Sequence, residues 1–271
     1  MMKICICGKG GSGKSTVVAL IAAELRRRGS KVLVVDSDES NEGLYWMLGF
    51  QTPPVPLMQL AGGKKNVQRA LRAAFVAEGD YQETPLLARE EIRPDDLPAD
   101  HVRRTEGLSL ACIGKIHQAL EGCACPMGVL CREFLKKLRL GDHEVAVVDM
   151  EAGVEHFGRG VETSVDAVVV VVEPSLESVG LAERIKDLAS GAGATFAGAI
   201  LNKADTEAVA AQLAEALSRR GVSPLATIPF HKELLQWGLE GSALTRASES
   251  LGLPSLAEAI LAGVARVRRG G

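Results

Sequence analysis

The sequence has no stretch long and apolar enough to cross a bilayer. Its longest apolar run, Ala167–Val172, falls far short of the roughly 20 residues a spanning helix needs. It also has no excess of one charge: 31 Lys and Arg stand against 34 Asp and Glu, a formal net charge of −3. Without a general basic field, a nucleic-acid partner is not expected. The opening residues MMKICICGKGG lack the apolar core of a secretory leader. No internal repeat and no low-complexity segment is found. The expectation is a cytoplasmic protein with no stable membrane association. Its six cysteines are then expected as buried thiols or metal ligands, not as a disulfide framework.

What is present alternates between two periods. Lys3–Cys7, Lys31–Asp36, Glu144–Met150, Ala167–Glu173 and Ala197–Leu201 are short runs, apolar on both faces. Strands buried inside a parallel sheet have this character. Ser15–Arg28, Leu176–Ala189 and Glu207–Arg220 carry helical spacing between them. The pattern predicts an α/β fold: a doubly wound, mainly parallel sheet flanked by helices, in a single domain over 1–271. Residues 51–107, rich in proline, charge and short helical pieces, are expected as an insertion on the sheet after the second strand.

The first strand runs straight into Gly8-Lys9-Gly10-Gly11-Ser12-Gly13-Lys14-Ser15. This fits G-x-x-x-x-G-K-[ST], with a strand before it and a helix after it. Glycines let backbone N–H groups close around phosphate oxygens, and the helix start adds its positive end. Gly10, Gly11, Ser12 and Gly13 are thus candidate cradle residues. Lys14 is placed to reach the β and γ phosphates, Ser15 to bind Mg²⁺, and Thr16 to donate to the α phosphate. ATP or ADP with Mg²⁺ is the expected cofactor set. Asp149 closes the strand EVAVVD, the position of a carboxylate beside Mg²⁺. Glu151-Ala152-Gly153 falls where backbone can sense a γ phosphate. Asn202, with Lys203 after the strand AGAIL, has an amide that both donates to and accepts from an adenine edge. Pro229-Phe230 lies where backbone would line the base pocket.

Lys9 sits inside the loop with no evident task in its own subunit. It either faces water or reaches a nucleotide held by a second subunit, as an arginine finger does. Cys5, Cys7 and Cys112 alternate with apolar residues and read as core. Cys131, on a helix expected at Val129–Leu138, is a poor third ligand. Cys123 and Cys125 differ: they lie in a turn bounded by Gly122 and Pro126, ahead of a helix (metal loop about 122–128). A helix start lowers thiol pKa, and thiolates suit Zn²⁺, Ni²⁺, Cu⁺ or an iron–sulfur cluster. One C-x-C supplies only two of four tetrahedral ligands. A dimer with the turn on its two-fold axis would supply four.

The loop KGGxGK[ST] resembles the deviant Walker A loop of the nitrogenase iron protein, MinD and ParA superfamily. The resemblance implies an ATP-dependent homodimer in which Lys9 acts in trans. It also implies that Asp38 orients the attacking water near Mg²⁺, while Asp36 assists Mg²⁺ or holds the loop. Three further segments, GGKK at Gly62–Lys65, IGKIHQALEGCACPMGVLCREFL at Ile113–Leu135 and DMEAGVEHFGRG at Asp149–Gly160, resemble the CooC-type maturation ATPases. That likeness implies a nickel-handling ATPase serving a carbon monoxide dehydrogenase or acetyl-CoA synthase client, with Zn²⁺ or Ni²⁺ held between subunits by Cys123 and Cys125. Two departures stand out. Ser12 replaces a common valine, and DSDESN lacks the usual switch I proline. Two other members of the superfamily frame alternatives: a reductase with an intersubunit cluster, and a positioning ATPase. The last helix, Pro254–Arg269, ends in three arginines but carries a core-facing stripe. Glu155 and His156 are either a link from nucleotide to metal or an ordinary solvated or core pair.

Overall fold

A computed structural model describes residues 2–75, 85–115, 125–154, 156–157, 160–240, 244 and 254–270. In chain order the strands are β1 (Met2–Gly8), β2 (Lys31–Asp36), β3 (Val102–Thr105), β4 (Leu108–Cys112), β5 (Glu144–Asp149), β6 (Ala167–Val172), β7 (Phe196–Ala204) and β8 (Pro224–Pro229). The helices are α1 (Lys14–Arg27), α2 (Leu44–Met47), α3 (Leu57–Leu60), α4 (Gly63–Phe75), α5 (Pro85–Ala88), α6 (Cys125–Lys137), α7 (Leu176–Gly191), α8 (Glu207–Ser218), α9 (Lys232–Glu240) and α10 (Pro254–Gly270).

The strands form one sheet in the order β3-β4-β2-β5-β1-β6-β7-β8. All neighbours are parallel except the β3–β4 pair. The chain therefore steps outward from β1 in both directions, which makes the carboxyl ends of β1, β2, β5 and β6 the ligand-facing crevice.

Alternation along the central strands sorts the core into two layers. Ile4 and Ile6 face one side with Val32, Val34, α1 and α10. Cys5 and Cys7 face the other with Leu33, Val35, α6, α7 and α8. Each of these β1 side chains is fully buried, contributing roughly 1.5–3 kcal/mol for each large aliphatic. Burial on both faces is why these strands read as unbroken apolar runs.

The insertion is more closely joined to the sheet than its composition suggests. Its last segment is β3, an antiparallel edge strand with Val102 opposite Ala111 and Thr105 opposite Leu108. Its α3 and α4 pack together, and α4 rests on α6. In α10, Ile260 and Val264 are fully buried against the α1 side of the sheet. Among the described residues no helix is long and apolar enough to cross a membrane.

Candidate nucleotide site

The site begins where β1 ends. Gly8 adopts φ 145°, and a Cβ there would lie 2.5 Å from the Val171 carbonyl oxygen on β6. No side chain fits this close approach. Gly13 caps α1 in the left-handed region at φ 96°, and its Cβ would sit 2.2 Å from Asn202 Nδ2. The loop between them is tied by Ser12 N donating to Lys9 O at 3.2 Å and Val17 N donating to Gly13 O at 3.0 Å.

α1 starts differently from α7 and α8. The latter two carry Ser175 and Thr206 as caps accepting from backbone N–H, with Glu177 and Glu207 in their first turns. α1 has no side-chain cap and no acid in its first turn. Its amino end is left for an anion, where free N–H groups and the helix dipole both favour negative charge.

The predicted site residues converge in two groups. Lys14 is 6% exposed and its Nζ donates to Lys9 O at 3.4 Å. Ser15 Oγ donates to Asp149 Oδ2 at 2.5 Å and accepts from Asn41 Nδ2 at 2.6 Å. Asp38 lies beside them on the segment after β2, with Oδ1 accepting from Ser40 N at 3.0 Å and Ser40 Oγ at 2.7 Å. Asn202 Nδ2 donates to Ser12 O at 2.7 Å, and Lys203 Nζ donates to Gly11 O. The step after β7 is thus fastened to the loop, with Lys203 in the left-handed region at φ 62°. Gly10 lies beside Ala152, and Gly153 N donates to Gly8 O at 3.2 Å. Thr16 follows in the first turn of α1.

Burial concentrates negative charge here. Desolvation pushes the Asp149 carboxyl up to about 7, helped by the nearby Asp36. It pushes Asp36 up to about 6, against the pull of the Lys115 ammonium. Glu39 is raised to about 7 by desolvation and by the Glu151 carboxyl bonded to it. Asp149 Oδ1 is buried and makes no hydrogen bond. An orphaned carboxylate oxygen among clustered acids and a serine hydroxyl fits a hard divalent cation. Ser15, Asp38 and Asp149 are therefore a donor set suited to Mg²⁺.

Lys9 points away from this pocket. Its Nζ pairs with Glu173 Oε1 at 3.2 Å and Glu177 Oε2 at 2.9 Å, and these two carboxylates raise its pKa. Lys203 also pairs with Glu173, at 3.5 Å.

The thiols separate as their surroundings dictate. Cys112 and Cys131 are buried, and desolvation pushes both up to about 12. Cys7 is fully buried too, yet its thiol falls to about 6, because bonds to Cys5 and His156 outweigh desolvation. His156 is 1% exposed and lies beside the Cys7 thiol, with its ring against Phe157. It is a core residue and not a solvated one. Cys123, Glu155 and residues 122–124 of the predicted metal loop lie outside the described residues. Cys125 is the first residue of α6. Among the described residues no three His, Cys, Asp or Glu converge as a metal site.

Sequence reasoning missed Lys115, which is 10% exposed at its side chain and 2.8 Å from Asp36 Oδ2. A lysine directly after an apolar strand was the available signal. It missed Asn41 and Glu39 as well, because the switch I segment has no periodicity to read.

Residues 4–244 match the model of the CobQ/CobB/MinD/ParA nucleotide-binding domain. An uncharacterized ATP-binding protein of Methanocaldococcus jannaschii is 42% identical over 243 residues, covering 90% of this chain and 94% of that one. The carbon monoxide dehydrogenase accessory protein CooC of Rhodospirillum rubrum is 34% identical over 202 residues, covering 74% of each. Among solved structures, the septum site-determining protein MinD of Pyrococcus horikoshii, complexed with Mg-ADP, superposes with a TM-score of 0.68 at 21% identity. That match covers 98% of this chain and 95% of the other.

Proposed function

The chain belongs to the CobQ/CobB/MinD/ParA nucleotide-binding family, and on that footing we propose that it is a homodimeric ATPase of metal handling. ATP binding and hydrolysis drive delivery of nickel to an enzyme of the carbon monoxide dehydrogenase or acetyl-CoA synthase type. The observation that carries this reading is the 34% identity to a carbon monoxide dehydrogenase accessory protein, in a chain that also holds the Cys123-x-Cys125 turn.

The residues divide the work. Backbone N–H groups of Gly10–Gly13 and the start of α1 hold the phosphates. Lys14 gives up its contact with Lys9 O and turns to the β and γ oxygens. Mg²⁺, when bound, draws charge off the phosphates and fixes their orientation. Asp38 keeps Oδ1 engaged with Ser40 and offers Oδ2 to orient the attacking water. Lys9 leaves Glu173 and Glu177 and supplies charge to the partner's nucleotide. Asn202 and Lys203 frame the base. Cys123 and Cys125 from two protomers give four thiolates, a set suited to tetrahedral Zn²⁺ or square-planar Ni²⁺ cargo.

Phosphate release measured with and without Ni²⁺, alongside metal content of wild type and Cys123→Ser/Cys125→Ser, tests the reading. It expects metal bound by the wild type and lost in the variant. Unchanged metal content would overturn it. A positioning ATPase at a membrane is disfavoured by α10, whose apolar residues Ile260 and Val264 are buried in the fold.

A further inference from the structure

We infer that the buried Asp36–Lys115 ion pair is a clamp that positions Asp38 for the attack of water on the γ phosphate. Both members act through Asp38 and are positioning residues. The inference rests on the reading that the chain hydrolyses ATP with Asp38 as the water-orienting group; it is independent of the metal cargo. It also assigns Asp36 to holding the loop, one of the two roles the sequence left open.

The segment Asp36-Ser37-Asp38-Glu39-Ser40-Asn41 contains no proline. No ring fixes a φ angle there, so its shape must come from bonds. The ion pair supplies them at Asp38 above all. Asp36 Oδ1 accepts from Asp38 N at 3.2 Å. Asp36 Oδ2 lies 2.8 Å from Lys115 Nζ, and Lys115 Nζ donates in turn to Asp38 O. Both polar groups of the Asp38 backbone are therefore held by the two members of one ion pair. The Asp38 side chain is set by the bonds from Ser40 to Oδ1, which leave Oδ2 for the water. The flanks are fixed as well. Ser37 N donates to Asp149 O at 2.9 Å, Ile113 N donates to Asp36 O at 2.9 Å, and Lys115 Nζ also donates to Asn41 O.

An ammonium has three N–H donors, and these three acceptors use all of them. The Lys115 and Asp36 side chains are only 10% and 7% exposed. Separating a buried pair leaves an uncompensated charge, which is strongly unfavourable, so the pair stays together and the carbonyls it holds stay with it. An ammonium 2.8 Å from Asp36 Oδ2 also repels a second cation at that oxygen. Asp36 thus serves the loop, and Mg²⁺ falls to Ser15, Asp38 and Asp149. The far end of the segment is tied to that donor set: Asn41, whose carbonyl Lys115 holds, donates from Nδ2 to Ser15 Oγ at 2.6 Å. The clamp therefore sets the water-orienting carboxylate against the serine of the Mg²⁺ site. Misplacing such a group by about 1 Å costs on the order of 10²-fold in rate.

The test separates turnover from binding. Phosphate release at saturating ATP and Mg²⁺ gives kcat, and calorimetric titration with AMP-PNP and Mg²⁺ gives affinity. Lys115→Met with Asp36→Asn removes the pair and leaves no orphaned buried charge. It should lower kcat by about 10²-fold while affinity changes by less than about threefold. Lys115→Arg keeps the buried charge paired, but a planar fork cannot meet all three acceptors of the ammonium. Its kcat should fall by about tenfold with affinity retained. Asp38→Ala identifies the route: in that background the pair has nothing left to position, so its removal should cost less than about threefold more. Wild-type kcat in both pair variants overturns the inference. So does a loss of AMP-PNP affinity that matches the loss of kcat, or a full further 10²-fold loss on top of Asp38→Ala. Each of these outcomes leaves hydrolysis by the wild type, and the proposed ATPase, in place. A wild type that binds AMP-PNP yet releases no phosphate from ATP, with Ni²⁺ or without it, overturns the clamp and the proposed function together.

Discussion

On the inner side of the phosphate loop, Lys14 and Asp149 are buried and the half-buried Ser15 bonds Asp149. On its outer rim, Lys9 lies among Glu173, Glu177 and Lys203, with Lys9 29% and Glu177 74% exposed at their side chains. The two lysines are five residues apart on one loop. Inside, desolvation dominates: carboxyls hold protons near neutral pH and an oxygen of Asp149 stands without a partner. Outside, water screens the Lys9–Glu177 pair, and such exposed contacts contribute little. The difference is what the proposed dimer requires of one loop that serves two subunits. On the proposed reading, the inner groups serve their own nucleotide, while the outer lysine is held weakly enough to leave for the partner's.

The largest effect that would break this contrast is on hydrolysis. Lys14→Ala and Lys9→Ala should each lower kcat by about 10³-fold or more, in line with loss of a charge that stabilises phosphoryl transfer. Only Lys14→Ala should also weaken ATP binding to the isolated chain. Mixing the two variants should restore part of the phosphate release, because one site of the mixed dimer then has both lysines. No recovery on mixing would place Lys9 in its own subunit's site.

Backbone strain on the inner side comes next. Gly13→Ala forces a Cβ into the left-handed region and against Asn202. A loss of about 1–3 kcal/mol in urea unfolding is expected, with weakened ATP binding. A variant as stable as wild type would show that the loop relaxes freely.

Titration separates the regions further. The folded pKa values of Asp149 and Asp36, about 7 and about 6, lie above the ordinary 3.8 of an aspartate. The folded state then binds protons more tightly than the unfolded one, so these groups make stability fall as pH rises from about 4 to about 7. Without Mg²⁺, Asp149→Asn should remove the larger part of that slope, roughly 4 kcal/mol across the window. Mg²⁺ with ADP should also flatten it, by taking the proton's place. A wild-type slope unaffected by Asp149→Asn would contradict the desolvation account. The smallest effect belongs to the rim: Glu177→Gln should change stability by less than about 0.5 kcal/mol.

Legibility in the sequence followed the same division. Strands buried on both faces announced themselves, and Lys31–Asp36 was bounded to the residue. The edge strand β3, with the pattern VRRT, and the half-exposed β8 carry too little apolar contrast to be read as strands. The β4 run LSLAC sits at the end of the charged insertion, which hid its place in the sheet. The phosphate loop was legible because its spacing is local. Lys115, Asn41 and the Glu39–Glu151 pair were not, because their partners are brought together by the sheet order. His156 was noticed, but its place beside the Cys7 thiol is a property of packing, invisible in a sequence.

The central claim is a nucleotide-clamped dimer with one metal ion shared by the Cys123 and Cys125 thiols of two chains. Sedimentation of metal-loaded protein with ATP, with ADP and without nucleotide, combined with metal analysis of each species, tests it most directly. The account predicts a dimer carrying one Zn²⁺ or Ni²⁺ per two chains, and loss of that ion in Cys123→Ser/Cys125→Ser. One ion on each monomer, or an unchanged ratio in the double variant, would contradict it.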